Sequence, residues 1–204
     1  MNVTEIVVLA AYASLVVELV LFPIPSEAST WQLLAAETPA NAPAGDALLR
    51  ARSRPLAQKI LRLFLPTALG VVSWLLPLGC ILVPGFAAAV WSTSVPWLQA
   101  PGLALVVLGR AVTFASVLQL RAQRRRGAAP GWLFRRSRNP GLVGMFTCYL
   151  GLCCLFGSPL LWLGLPLYVG NMHGRVRMEE AHLSRRLGAA WTDYAARVPR
   201  YLGW

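Results

Sequence analysis

The fold is decided by residues 137–202, SRNPGLVGMFTCYLGLCCLFGSPLLWLGLPLYVGNMHGRVRMEEAHLSRRLGAAWTDYAARVPRYL. Gly141–Phe156 is apolar, Gly157-Ser158-Pro159 is a turn, and Leu160–Val169 is apolar again. This reads as a membrane hairpin, entered through Arg138-Asn139-Pro140 and left into a helix carrying Glu179-Glu180. An out-and-back path allows charged residues far apart in sequence to face each other at one membrane surface. The two apolar runs hold sixteen and ten residues. At ~1.5 Å per helical residue neither comfortably covers a ~30 Å hydrocarbon layer, so the hairpin is expected to sit tilted or partly sunk among longer helices.

The same character extends through all 204 residues. The chain is 56% hydrophobic and 13% charged, with a mean hydropathy of +0.55, whereas a soluble domain carries about a quarter charged residues. The expected fold is all-α, a polytopic transmembrane helical bundle of about five membrane helices with a C-terminal cytoplasmic helix. Net charge is +11, and 18 of the 19 basic residues are Arg. They fall between apolar runs, as the positive-inside rule requires. No recognised nucleic-acid-binding motif accompanies them, so nucleic acid is not an expected partner.

Outward from the hairpin, helix three is expected over Gly102–Leu120, with Arg110 midway and Arg121, Arg124, Arg125 and Arg126 marking a cytoplasmic end. Helix two is expected over Leu61–Val83, bent by Pro66 and Pro77, with Phe86–Ala100 and its Trp91 and Trp97 as an outer interfacial segment. Helix one is expected over Thr4–Phe22. It lacks a basic region before it and a cleavage site after it, which favours a retained helix over a signal peptide. The connection Pro23–Lys59 has its likeliest flexible stretch at Pro39–Gly45, a short interfacial helix around Trp31 and Leu33-Leu34, and a basic end at Arg50, Arg52, Arg54 and Lys59. Counting from the basic clusters gives five crossings with the N-terminus outside. Residues 1–100 then form N-terminal helices and linker, possible acceptor-site elements, and residues 101–204 form the core.

Few polar residues remain to carry chemistry. Met172, Val176, Glu180, Leu183 and Leu187 are spaced 4, 4, 3 and 4, one helical face. Glu180 thus lies in an apolar stripe and needs a partner, because an unpaired buried carboxylate is costly; a basic residue of the protein or a cationic ligand group would serve. Glu179 sits on the neighbouring polar face, one turn from Arg175, and reads either as a surface ion pair or as a ligand contact. Glu18 reads as an interfacial acid or as one facing protein. Arg110, inside a membrane helix, is a functional candidate by default, or a structural partner of Glu18 or Glu180. Arg138-Asn139-Pro140 starts a helix with Pro in its first turn. Free N–H groups there favour an anionic ligand group, and Gly141 and Gly144 would let a ligand approach the backbone.

Metal chemistry is not expected. Cys80, Cys148, Cys153 and Cys154 match no zinc spacing, and His173 and His182 form no triad. No P-loop, dinucleotide fingerprint or serine-nucleophile motif is present.

Residues 109–204 resemble the integral-membrane superfamily of isoprenylcysteine carboxyl methyltransferase and phospholipid methyltransferases. The resemblance rests on Gly109-Arg110, Gly131, Arg138-Asn139-Pro140, Gly144, Glu179-Glu180, Leu187-Gly188, Trp191, Tyr194 and Val198-Pro199-Arg200. Asn139 replaces a frequent His, Leu142 a frequent Tyr, and Leu187 and Trp191 replace Phe and Tyr. The resemblance implies an S-adenosylmethionine site at the cytoplasmic face, with Arg110, Arg138, Asn139, Pro140, Gly144, Glu179 and Glu180 as cofactor-binding residues. It makes Glu180 and Arg138 the candidate catalytic residues, and a lipophilic or small-molecule methyl acceptor and membrane lipid the partners. The competing expectations are a membrane reductase using NADPH on a sterol-like or isoprenoid substrate, and a non-catalytic membrane scaffold.

Overall fold

The computed structural model describes residues 1–21, 51, 53–126 and 131–202. The expected interfacial helix around Trp31, the flexible stretch Pro39–Gly45, and Arg50 and Arg52 lie outside the described residues. Every element among the described residues is helical: α1 (Val3–Leu21), α2 (Leu56–Lys59), a π-helical turn (Ile60–Phe64), α3 (Leu65–Leu82), α4 (Phe86–Ala89), α5 (Pro96–Arg126), α6 (Trp132–Arg136), α7 (Pro140–Phe156), α8 (Pro159–Leu187) and α9 (Ala189–Arg197). Three spans are long and apolar enough to cross a membrane, Val3–Val20, Leu56–Leu82 and Pro96–Gln123, and α7 is a shorter apolar helix. The chain groups into two units: residues 1–24, 72–165 and 198–204, and residues 25–71 and 166–197.

In the first unit α5 and α7 make the most extensive contact, and α1 packs on α5. Helices in lipid gain no hydrophobic drive from meeting each other, so close approach depends on small residues. Here Gly102, Gly109 and Ser116 recur every seven residues on α5, and Gly144 and Gly151 do so on α7. A Cβ added at Gly109 would lie 2.5 Å from the Gly144 carbonyl oxygen and 2.8 Å from Cys148 Cα. One added at Gly151 would lie 2.7 Å from both the Gly102 oxygen and the Val106 nitrogen. The obstructing atoms are backbone, so no rotamer change relieves them.

The opposite end of this unit is closed by hydrogen bonds that join the segment before α5 and the first turn of α5 to the end of α7 and the turn after it. Ser92 Oγ donates to the Phe156 carbonyl (2.6 Å), Ser158 Oγ to Val90 (2.6 Å) and Gln99 Nε2 to Leu155 (3.0 Å). Gly157 caps α7 with φ +57°, and its face is pressed against the Thr93 carbonyl, so the turn requires glycine twice over. The expected outer segment is thus the short helix α4 plus an early start of α5. Trp91 (φ 49°) and Trp97 project from it, 64% and 75% exposed.

Two expected boundaries shift. The apolar run after the turn and the Glu179-Glu180 helix form one 29-residue helix, α8. The intervening Gly170-Asn171 is no breaker, since an interior Gly costs only about 1 kcal/mol relative to Ala. Helix two begins earlier, at Leu56, and widens into a π-turn over Ile60–Phe64 just before Pro66. Proline removes an N–H from the ladder, and Thr67 Oγ1 donates to the Leu63 carbonyl at 2.5 Å. At the N-terminus, the Asn2 side chain accepts from the Glu5 N–H (2.9 Å) while the Glu5 carboxylate accepts from the Asn2 N–H (3.0 Å), a reciprocal cap on α1.

Gly109→Leu is expected to lower the thermal midpoint of the detergent-purified protein by overpacking, equivalent to about 1–3 kcal/mol. Gly174→Ala, which meets no atom within 4 Å, should leave it at or above wild type. Equal midpoints for Gly109→Leu and wild type in a differential scanning measurement would contradict the seam.

Candidate functional site

Ser137 begins the site. It is 2% exposed, and its hydroxyl accepts from the Asn139 N–H (3.1 Å) while donating to the Arg200 carbonyl (3.4 Å). The Asn139 side-chain amide donates to that same carbonyl (3.1 Å), and the Arg138 N–H donates to the Pro199 carbonyl (2.9 Å). Tyr201 stacks edge-on against Phe146 of α7, with ring centroids 5.9 Å apart, and Val198 is buried. Arg138-Asn139-Pro140 and Val198-Pro199-Arg200, some sixty residues apart, therefore form one substructure at the start of α7. Asn139 acts here by position: its backbone carbonyl accepts from Leu142 and Val143, opening the helix, while its side chain holds the returning chain. Pro140 occupies the first helical position and is buried, where its missing N–H is no loss.

The glycines of this helix start do not face open space. A Cβ at Gly141 would lie 2.9 Å from Ser116 Oγ, and one at Gly144 would lie 2.6 Å from the Gly109 oxygen and 2.7 Å from the Thr113 nitrogen. Thr113 Oγ1 donates to the Gly109 carbonyl (2.9 Å) and reaches the Gly141 carbonyl (3.3 Å). The close approach expected of a ligand is made instead by helix α5.

Arg110 and Glu18 are each 7% exposed, and Arg110 Nη2 meets Glu18 Oε2 at 2.5 Å. Arg110 Nε donates to Ser14 Oγ (3.1 Å), and Nη1 lies 3.7 Å from Met145 Sδ. Of the two expected partners, Glu18 is the one engaged. The pair ties α1 to α5 and leaves little net charge in the apolar layer. A cavity of about 10 Å³ beside it, lined by Tyr12, Trp74, Arg110, Cys148 and Leu152 among others, has room for at most a single water. Tyr12 donates its hydroxyl to the Trp74 carbonyl, and Trp74 meets the fully buried Tyr149 edge-on at 5.0 Å.

The second unit holds Glu179 and Glu180. Val176 and Glu180 are buried on one face of α8, Met172 and Leu183 are half-buried, and Leu187 is exposed, so the stripe read from the spacing is present as far as Leu183. Glu180 is 8% exposed and Glu179 half-buried. One turn back, Arg175 Nη2 donates to Thr67 Oγ1 (2.7 Å) and Asn171 Nδ2 to the same oxygen (3.2 Å). Burial pulls the Arg175 pKa down and the Glu179 carboxylate pushes it up; guanidinium basicity is high enough that the charge persists. Lys59, one of the basic residues expected to mark a cytoplasmic face, is 8% exposed. Its periodicity signalled this: Lys59, Leu63, Thr67 and Gly70 lie on one helical face, and Leu63 packs with Ala51 and Met178 in a small apolar cluster.

Among the described residues no group of three or more His, Cys, Asp or Glu gathers as a metal site. Comparison with family models, with characterised proteins and with solved structures returned no match.

Glu18→Ala strands the Arg110 charge in the apolar layer and should cost on the order of 3–5 kcal/mol. Combining Glu18→Leu with Arg110→Met removes both charges and should be distinctly milder. Denaturant titrations in detergent in which the double variant is as unstable as Glu18→Ala would show that the pair is not the tie between α1 and α5.

Proposed function

We propose that this chain is an integral-membrane methyltransferase that uses S-adenosylmethionine to methylate a lipophilic or small thiol, amine or carboxylate acceptor. The observation that carries the reading is the hydrogen-bonded union of Arg138-Asn139-Pro140 with Val198-Pro199-Arg200 in an apolar helical protein. These are two of the short motifs on which the family resemblance rests, and their contact gives a physical reason for both to be present in one chain.

The donor set suits the cofactor. Its amino-acid end carries one anion and one cation, and its ribose carries hydroxyls. Arg138 supplies a guanidinium beside the α7 start, and α8 supplies the carboxylates of Glu179 and Glu180. Arg138 or Arg110 is assigned the cofactor carboxylate; Arg110 also holds Glu18. Glu180 and Glu179 are assigned the ammonium and ribose groups. Asn139, Pro140 and Gly144 act by shaping the turn and seating α7 on α5.

When bound, the cofactor supplies a methyl group on a positively charged sulfur, a leaving group already activated. That methyl would pass in line to an oxygen, nitrogen or sulfur lone pair of the acceptor, with a neutral thioether as the leaving group. Any proton lost by the acceptor passes to Glu180 or to water. The protein's contribution is alignment, which is worth several kcal/mol when the reacting atoms are held near contact, and exclusion of water. In this reading α7 and the first half of α8 complete five crossings, the N-terminus lies outside, and Arg138, Glu180 and α9 face the cytoplasm.

Glu180→Ala and Arg138→Gln should each weaken S-adenosylmethionine binding by tenfold or more, as expected for losing a charged hydrogen bond of about 1.5–3 kcal/mol. Titration calorimetry on variants whose thermal midpoints match wild type is the check. Wild-type affinity in both would remove the assignment, and binding of NADPH alone would favour a reductase.

A further inference from the structure

A second surface lies outside this chemistry, on α6 between the end of α5 and the start of α7. Its five residues, WLFRR, alternate sharply in exposure. Leu133 is buried, whereas Trp132 is 64% exposed and Arg135 and Arg136 are exposed. An exposed indole flanked by two exposed arginines suits a ligand that is apolar at one depth and anionic at the next.

The depth of α6 can be read from its anchor. The Leu133 N–H donates to Gln119 Oε1 (3.2 Å), and Gly131 packs directly on the Gln119 side chain, where a Cβ would lie 2.6 Å from Cδ. Gln119 belongs to the membrane span Pro96–Gln123 and precedes its end by four residues, about 6 Å of helix. The start of α6 is therefore level with the last apolar turn of α5. This is the depth at which Trp is favoured, between acyl chains and headgroups, and Arg135 and Arg136 follow within one turn.

We propose that Trp132, Arg135 and Arg136 form a docking surface for anionic glycerophospholipids, the indole lying among the upper acyl carbons and the two arginines on the headgroup phosphate. Guanidinium favours phosphate through paired, charge-assisted hydrogen bonds. The buried Leu133 and the Gln119 anchor hold the three side chains on one rigid element. A free phosphate would have no use for the indole, which argues for lipid over a soluble anion.

The test is native mass spectrometry of the full-length, delipidated protein titrated with phosphatidylglycerol, phosphatidylcholine and glycerol 3-phosphate. Wild type is expected to retain phosphatidylglycerol over phosphatidylcholine. Arg135→Gln with Arg136→Gln should lower phosphatidylglycerol retention by about 25-fold, given about fivefold per basic residue at a lipid surface. Trp132→Ala should weaken retention of both lipids. All variants should keep the wild-type thermal midpoint, because the side chains concerned are exposed; if the double Gln variant unfolds, Arg135→Lys with Arg136→Lys should keep the preference. Equal retention of the two lipids by wild type, an undiminished preference in the folded double variant, or displacement of lipid by glycerol 3-phosphate would each overturn the proposal.

Discussion

Two helices with glycine at their contact can bring their backbones together, and the first unit depends on this. The α5–α7 seam allows no side chain at Gly109, Gly144 or Gly151, because the obstructing atoms are backbone. Once the seam is set, other placements follow. The start of α7 is fixed against Ser116 and Thr113, so the Asn139 carbonyl, the buried Ser137 and the returning Pro199-Arg200 carbonyls meet at one turn. At the far end the same helix stops at Gly157, where three side-chain hydrogen bonds tie the end of α7 and the turn to the start of α5 and the segment before it.

Inside the apolar helix α5 a charge is admitted in company. Arg110 sits near the middle of α5 because Glu18 of α1 is there to meet it, with Ser14 taking another donor. A hydrophobic pair would pack as well, and buried ion pairs are often no more stable than apolar replacements. What the pair adds is register: α1 is largely exposed, with only 11% of its span buried, and Glu18 and Ser14 specify where along α5 it rests, while Tyr12 meets the Trp74 carbonyl of α3. In the second unit Thr67 performs a related service, accepting from Asn171 and Arg175 while donating to Leu63. One hydroxyl there joins α3 to the polar part of α8.

Much of this was legible in the sequence. Apolar runs announced the helices, Gly157-Ser158-Pro159 the turn, and the 4, 4, 3 spacing the burial of Glu180. Pairing of Arg110 stayed open between two acids, because sequence spacing does not say which helices are neighbours. Gly141 and Gly144 were legible as places of close approach, but a glycine does not say whether a ligand or a helix does the approaching. The apolar run after the turn and the Glu179-Glu180 helix read as separate elements because composition changes between them, yet α8 carries through Gly170-Asn171. The burial of Lys59 follows from its place in line with Leu63 and Thr67, which a count of basic residues does not weigh. The link between Asn139 and Arg200 was invisible, since a side-chain amide meeting a backbone carbonyl leaves no pattern in the chain.

The account's central claim is that Arg138 and Glu180 serve one cofactor, S-adenosylmethionine. Hydrogen–deuterium exchange of the detergent-purified protein with and without S-adenosylhomocysteine tests it most directly, because the readout is resolved along the chain and needs no acceptor. The account predicts slowed exchange in the segment that carries Arg138 and in the segment that carries Glu180, with NADPH leaving both unchanged. Unaltered exchange in both segments at saturating nucleoside, or protection conferred by NADPH instead, would contradict it.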